Sequence, residues 1–225
     1  MPNRPAKNVT PDVLETPALP ATPADAPFVD TLRRAIEQRG DIDGFRFQSD
    51  EASDIAASAL DFSGCMFERC AFADWAVKRL GFTDCVFDHC DLSAMRFENT
   101  SFQRVQFQDC RLTGADLLNC TLMNVVLIGC SADYLALSGC KLNHVRFTTS
   151  RLRESVWQDV KLKDTALDAC DLTAAQVRFT PLAGLSFATC TLDGLQIDPH
   201  DLCDLRVTAQ QALAMCGLFG LIVEE

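Results

Sequence analysis

Basic side chains are in short supply: 20 Lys and Arg stand against 31 Asp and Glu, a formal charge of −11 over 225 residues. A nucleic-acid binder neutralises phosphates with Lys and Arg, so this balance argues against one. It favours plain solubility or a basic partner surface. Long apolar runs are missing as well. The longest, Ala212 to Val223, is shorter than a bilayer span and holds two glycines, which excludes a membrane helix there. No charged segment followed by an apolar stretch opens the chain, so a cytoplasmic location with reduced thiols is expected. Histidine is scarce: His89, His144 and His200 are far apart and fit no Ser-His-Asp or Cys-His arrangement. No glycine-rich phosphate loop appears. Catalytic residues, cofactors and a metal are therefore not expected.

Two residue types are abundant instead, 15 Phe and 12 Cys, and both follow one rhythm. Stepping by five from Phe62 passes through Phe67, Phe72, Val77, Phe82, Phe87, Leu92, Phe97, Phe102 and Phe107. It continues to Leu202, giving 29 slots without an insertion, of which only Ala132 is not bulky. Two residues before each bulky slot lies a second periodic position, mostly small or medium, which holds ten of the twelve cysteines. The other three positions of each five are mostly polar. Neither a helix nor a strand has a period of five. Two inward residues followed by a polar corner, repeated, describe a solenoid whose coils stack into one core.

Coil size follows from columns. Cys70, Cys90, Cys110, Cys130, Cys170 and Cys190 are 20 apart, with Ser150 in the vacant slot, and Phe67, Phe87, Phe107, Leu127 and Phe147 form a second column. Four five-residue sides per turn are implied. These two columns are the expected core ladder. Zinc-type spacing is lacking, and the cysteines read as small reduced hydrophobes, with Cys203 and Cys216 outside the ladder.

Units such as Cys65-Met-Phe67-Glu-Arg and Ala115-Asp-Leu117-Leu-Asn resemble the pentapeptide-repeat family over about residues 60–204. The resemblance implies an all-β solenoid, a right-handed quadrilateral β-helix, here of about 7–8 coils. Before it, residues 1–27 carry seven of nine prolines and read as a disordered tail. Residues 28–40 read as a capping helix with Phe28, Leu32 and Ile36 on one face and Gly40 as its stop. The repeat domain spans 41–207, with an irregular first coil expected around Ser49–Asp54, where Asp50 would point inward. His200 falls on an inward slot where the last coil closes. Residues 208–225 read as a cap: Thr208 and Gln211 form a capping-box pattern, a helix follows over about 209–219, then a strand Leu221–Val223. Leu213, Met215, Cys216, Phe219 and Ile222 offer more apolar surface than a short helix hides, so a homodimer contact is expected there.

By segment, the negative charge concentrates at residues 41–60 and 193–225, while 61–192 is nearly neutral. Asp193, Asp198, Asp201, Asp204, Glu224 and Glu225 are expected to form an acidic belt beside the dimer contact. Leu118, Met123, Val126, Ile128 and Tyr134 occupy nominally outward slots and suggest an apolar contact patch. The resemblance extends to the DNA-mimicking members that bind type II topoisomerases (Qnr-type and albicidin-resistance proteins). It implies DNA gyrase and/or topoisomerase IV as partner, with inhibition or protection from poisons as outcome. The runner-up is a scaffold for another protein, reached through the apolar patch or the N-terminal helix.

Overall fold

A computed structural model describes residues 14–77 and 79–222. Residues 1–13 of the expected tail, Val223 of the expected strand, and Glu224 and Glu225 of the expected belt lie outside the described residues. The chain winds into a parallel β-solenoid of about nine turns, against the 7–8 that the sequence suggested. Each residue of a side pairs with the residue 20 later: Ile42 with Phe62, Phe62 with Phe82, Phe82 with Phe102, Phe102 with Leu122 and Leu122 with Leu142. That column defines the first face. The second carries Phe47, Phe67, Phe87, Phe107, Leu127, Phe147 and Leu167. The third is built on Ala52, Phe72 and Leu92 and runs on by single bridges from Asp91 through Arg111, Ser131, Arg151 and Asp171 to Thr191. The fourth holds Ala57, Val77, Phe97, Leu117, Leu137, Trp157, Val177 and Ile197.

Most corners turn on a residue with positive φ, among them Asp84, Arg104, Asn124 and His144 on one edge. Asn and Asp tolerate this left-handed conformation best after glycine, which is why the polar positions of the repeat are rich in both. Inside, rings stack coil on coil. Phe87 lies between Phe67 at 4.6 Å and Phe107 at 4.8 Å, stacked nearly parallel to each. The ten ladder cysteines are buried and free. Nine of their thiols donate to carbonyls one coil below, as Cys90 Sγ does to the Phe67 oxygen at 3.2 Å. Ser150 fills its slot the same way, with Oγ 3.5 Å from the Leu127 oxygen.

Helix α1 (Phe28–Gln38) plugs the N-terminal end. Phe28 and Leu32 are fully buried, and the Phe28 ring meets Phe47, Phe67, Phe72 and Trp75 within about 6 Å. This resolves the expected irregular coil. Ala52 and Ala57 keep the register, and they are small because α1 packs on that coil. Asp50 does not point into the core: it is half-buried and its carboxylate accepts the Phe28 N–H at 2.8 Å. Arg39 rather than Gly40 takes the left-handed stop, with φ of 51°.

Residues 14–27 do not hang free of the solenoid. Ala24–Asp25 pairs with Phe45–Arg46, Pro20 sits over Gly44 and Gly64, the Ala18 N–H donates to Asp84 at 2.9 Å and Glu15 lies 3.6 Å from Arg104. This strap follows the corner between the first and second faces. Gly44 and Gly64, both with positive φ, make room for it, since a Cβ on Gly64 would come within 3.3 Å of Pro20.

At the far end a 3-10 turn, Pro199–Leu202, replaces the regular side, and the 20-residue register resumes at Ser186 and Arg206. Asp201, not His200, turns inward: it is buried and accepts the Thr180 N–H at 3.1 Å, whereas His200 is exposed. Helix α2 (Ala209–Met215) follows behind the capping box of Thr208 and Gln211, and a 3-10 turn, Cys216–Phe219, completes the expected helical stretch. Leu221 and Ile222 form no strand. Gln211 ties α2 to the last coils through hydrogen bonds from Nε2 to the Phe187 and Cys190 carbonyls, at 2.8 and 2.9 Å. Among the described residues no helix is long and apolar enough to cross a membrane.

Candidate interaction faces

Folding at 20 residues per turn sorts the charges by face. Over residues 40–199 the first face carries five acids and four bases, the second four and three, and the fourth four and four. The third carries nine acids and three bases. That one side therefore holds a net −6, against −1, −1 and 0 for the others. The segment sums put the excess at the ends; the fold puts most of it on one longitudinal face. The signal was present in the sequence as a 20-residue stride of acids, but it appears only once the turn length is used to sort polar positions.

The third face is organised along its length. In the middle, Arg111 pairs with Asp91 at 3.1 Å, Arg151 with Asp133 at 3.0 Å and Arg153 with Asp171 at 2.5 Å. Desolvation alone would raise the carboxyls of Asp91 and Asp171. Hydrogen bonds from Ser93 and Thr173, with the charges of Arg111 and Arg153, hold both below the usual range instead. Those three arginines engage three acids. The remaining carboxylates, Asp50, Glu51, Asp54 and Asp74 toward the N-terminal end, Glu154 in the middle and Asp193 near the C-terminal end, have no basic partner among the described ion pairs. Such unneutralised groups attract cationic surfaces at long range.

The predicted belt is only partly assembled. Asp193 and Asp204 are exposed, and Asp198 caps the closing turn by accepting the His200 N–H at 3.0 Å. Asp201 is withdrawn into the interior by its bond to Thr180. These residues also diverge around the rod: Asp193 is on the third face and Asp198 on the fourth, while Asp204 turns a corner above Gly184.

The predicted apolar patch is dispersed. Leu118 belongs to the fourth face, Met123 to the first, Val126 and Ile128 to the second, and Tyr134 to the corner closing the third. They span one coil, so their sequence proximity places them on all four sides. Tyr134 additionally donates its hydroxyl to Glu154 at 3.0 Å.

The C-terminal module is different. No residue of α2 is buried. Leu213 is 57% exposed and Ile222 91%, Met215 rests against the core, and Cys216 is half-buried with its thiol 3.4 Å from the Ala212 oxygen. A groove of about 600 Å³ separates α2 from the last coils, lined by Cys190, Leu192, Leu195, Ala214, Met215 and Leu218 among others.

Among the described residues, Asp88, His89 and Asp109 bring three potential metal ligands together. They sit on an open corner, with His89 Nδ1 2.7 Å from Asp88 Oδ1, and no buried group backs them. Cys203 is exposed. Individual ladder thiols differ: burial pushes Cys130 up to about 11, the hydrogen bond with Cys110 leads in pushing Cys90 up to about 12, and the hydrogen bond with Cys170 brings Cys190 down to about 7.

A family description, pentapeptide repeat region, matches residues 60–125 and 101–177. No curated protein matches the chain. Among solved structures, full-length QnrB1, a plasmid-mediated fluoroquinolone resistance protein, aligns at 18% identity over 80% of this chain and 95% of its own, with a TM-score of 0.41. HetL, a pentapeptide repeat protein involved in heterocyst differentiation regulation from the cyanobacterium Nostoc sp., aligns at 14% identity over 74% and 86%, with a TM-score of 0.23. Rfr23 from the cyanobacterium Cyanothece aligns at 11% identity over 80% and 98%, with a TM-score of 0.22. The matched span covers more than half of the chain, its five-residue period runs on through both ends of that span, and the chain belongs to the pentapeptide-repeat family.

Proposed function

We propose that this chain is a non-enzymatic cytoplasmic interaction protein that presents its third face to a Lys- and Arg-lined surface. We assign that surface to the DNA-binding saddle of DNA gyrase and/or topoisomerase IV. The observation that supports the reading is the facial sorting of charge, nine acids against three bases on one side of a stack of parallel coils. Magnitudes set its strength. Nine coils at roughly 4.8 Å make a rod of about 43 Å, so a net −6 is about one charge per 7 Å. Duplex DNA carries one per about 1.7 Å. The face imitates about a quarter of the duplex's charge density, enough for steering and for competition at low salt. The reading extends to a homodimer through Leu213, Leu221 and Ile222, the exposed apolar side chains of the C-terminal module, which would double the acidic length.

A supercoiling assay with purified gyrase, with and without a fluoroquinolone or albicidin, tests the reading. Inhibition or drug protection at micromolar protein is expected, and both should fall when Asp74, Glu154 and Asp193 are changed to Lys. No effect in either format would refute the topoisomerase assignment and leave a scaffold for a different basic partner.

A further inference from the structure

The first face lies opposite the acidic one, and toward its C-terminal end it has the reverse character. Lys141 and Lys161 are direct register partners on adjacent coils, and Lys163 stands on the same side two residues on. All three are exposed. Like charges stacked across a ladder destabilise it, and no acid of the sheet face separates them. At the following corner, Asp164 brings its carboxylate to 4.0 Å from Lys163 Nζ.

Apolar surface interleaves with these ammonium groups. Leu162, placed inward by the period, is only half-buried between Lys161 and Lys163. One coil on, the face continues with exposed Pro181 and Ala183. At the corner entering that coil stands Phe179, 70% exposed with φ of 52°. Its position is fixed by the Asp159 N–H bonding the Arg178 carbonyl at 3.1 Å and the Val160 N–H bonding Thr180 Oγ1 at 3.0 Å. Equivalent corners carry Arg79, Asn99, Asn119, Gly139 and Asp159. A bulky side chain in the left-handed region is strained, and an exposed Phe returns nothing to the core for that strain.

We propose that Lys141, Lys161, Lys163 and Phe179 form a docking surface for an acidic protein segment that carries an apolar side chain among its carboxylates. Charge complementarity selects the acids, and Phe179 with Leu162 supplies the apolar seat. This surface is independent of the topoisomerase reading and faces the other way, so the rod would engage a basic partner on one side and an acidic one on the other.

Fluorescence anisotropy with a fluorescein-labelled Glu-Asp-Leu-Phe-Asp-Glu peptide on the full chain tests the proposal. Binding that weakens as NaCl rises is expected, with at least a roughly tenfold loss of affinity in the Lys161→Gln, Lys163→Gln double variant. Phe179→Asn provides the sharper check. It should keep the β circular-dichroism signal, raise the melting temperature by relieving the corner, and weaken peptide binding. A purely structural Phe179 would alter stability but not affinity, which would overturn its role. The proposal also fails if the Lys variants bind unchanged, if the peptide does not bind at millimolar concentration, or if a duplex oligonucleotide binds this surface more tightly than the peptide.

Discussion

Arg104 grips Asp84 at two points, Nε to Oδ1 and Nη2 to Oδ2, each at 2.7 Å, and the same Oδ1 accepts the Ala18 N–H of the strap. The Arg104 hydrogen bond is the main reason that the Asp84 carboxyl sits below its ordinary range, against a desolvation that would raise it. A carboxylate held low in the fold contributes stability above its unfolded value, and that contribution is lost as pH falls through the folded value. The protection of the Ala18 amide, relative to its intrinsic exchange rate, should therefore be high at neutral pH and fall below about pH 4. Arg104→Ala should show fast exchange at Ala18 already at neutral pH. Unchanged protection in that variant would mean that Pro20 and the Ala24–Asp25 pairing hold the strap alone.

The ring column gives the clearest stability prediction. Phe87→Ala removes a ring packed between two others and leaves a void that rigid neighbours cannot fill. A loss of about 3–5 kcal/mol is expected, read as a lower urea midpoint. A loss under about 1 kcal/mol would show that the stack relaxes around the void.

Thiol chemistry adds an alkaline signature. Burial raises Cys130 to about 11, above an unfolded thiol near 8.5. The folded state then holds its proton more tightly, so this stability is present at neutral pH and lost as pH climbs from about 8.5 through 11. Cys130→Ser should cost only about 1 kcal/mol, because Ser150 makes equivalent bonds in the same column. It should also flatten the alkaline decline measured by urea melts from pH 8 to 11. In labelling experiments on the native chain, Cys203 should react with iodoacetamide first and Cys130 should resist.

Charge reversal on the third face separates fold from partner. Changing Asp74, Glu154 and Asp193 to Lys should leave the far-UV spectrum intact, since none of the three holds an ion pair in the described set, and should abolish binding to gyrase at 50 mM salt. Retained binding with an unchanged salt slope would move the contact to another face.

Truncation after Leu205 addresses the C-terminal module. Light scattering should report a monomer for the shortened chain and a dimer for the full one. Equal masses would refute the dimer. Gln211→Ala is a gentler variant that removes the two bonds to the Phe187 and Cys190 carbonyls and should loosen α2 without deleting its apolar residues.

Much of the fold was legible because bulky and small slots repeat without interruption: the Phe67 column and the Cys70 column each line the interior as their 20-residue spacing required. What escaped notice did so for physical reasons. The strap looks like a disordered tail by composition, and its sequence trace is the pair Gly44 and Gly64 on successive coils of one corner column, where Asp84, Arg104, Asn124, His144 and Asp164 follow. The period assigns His200 to the interior and leaves Asp201 among the surface acids, and the 3-10 turn exchanges the two. The apolar patch failed since residues close in sequence occupy different sides of a four-sided coil. Facial charge was missed by summing along the chain rather than around it.

The stacking rule that each residue meets the one 20 later has a consequence for how this molecule can change. Removing five residues from a middle coil keeps every small and bulky slot filled and leaves a soluble solenoid. It also turns all that follows by a quarter of a revolution, so the acids before and after the deletion no longer share a side. Only changes of 20 residues preserve the alignment. What the rod can bind is thus written in angular phase, and a chain could lose its partner while its core, composition and stability stay as they were.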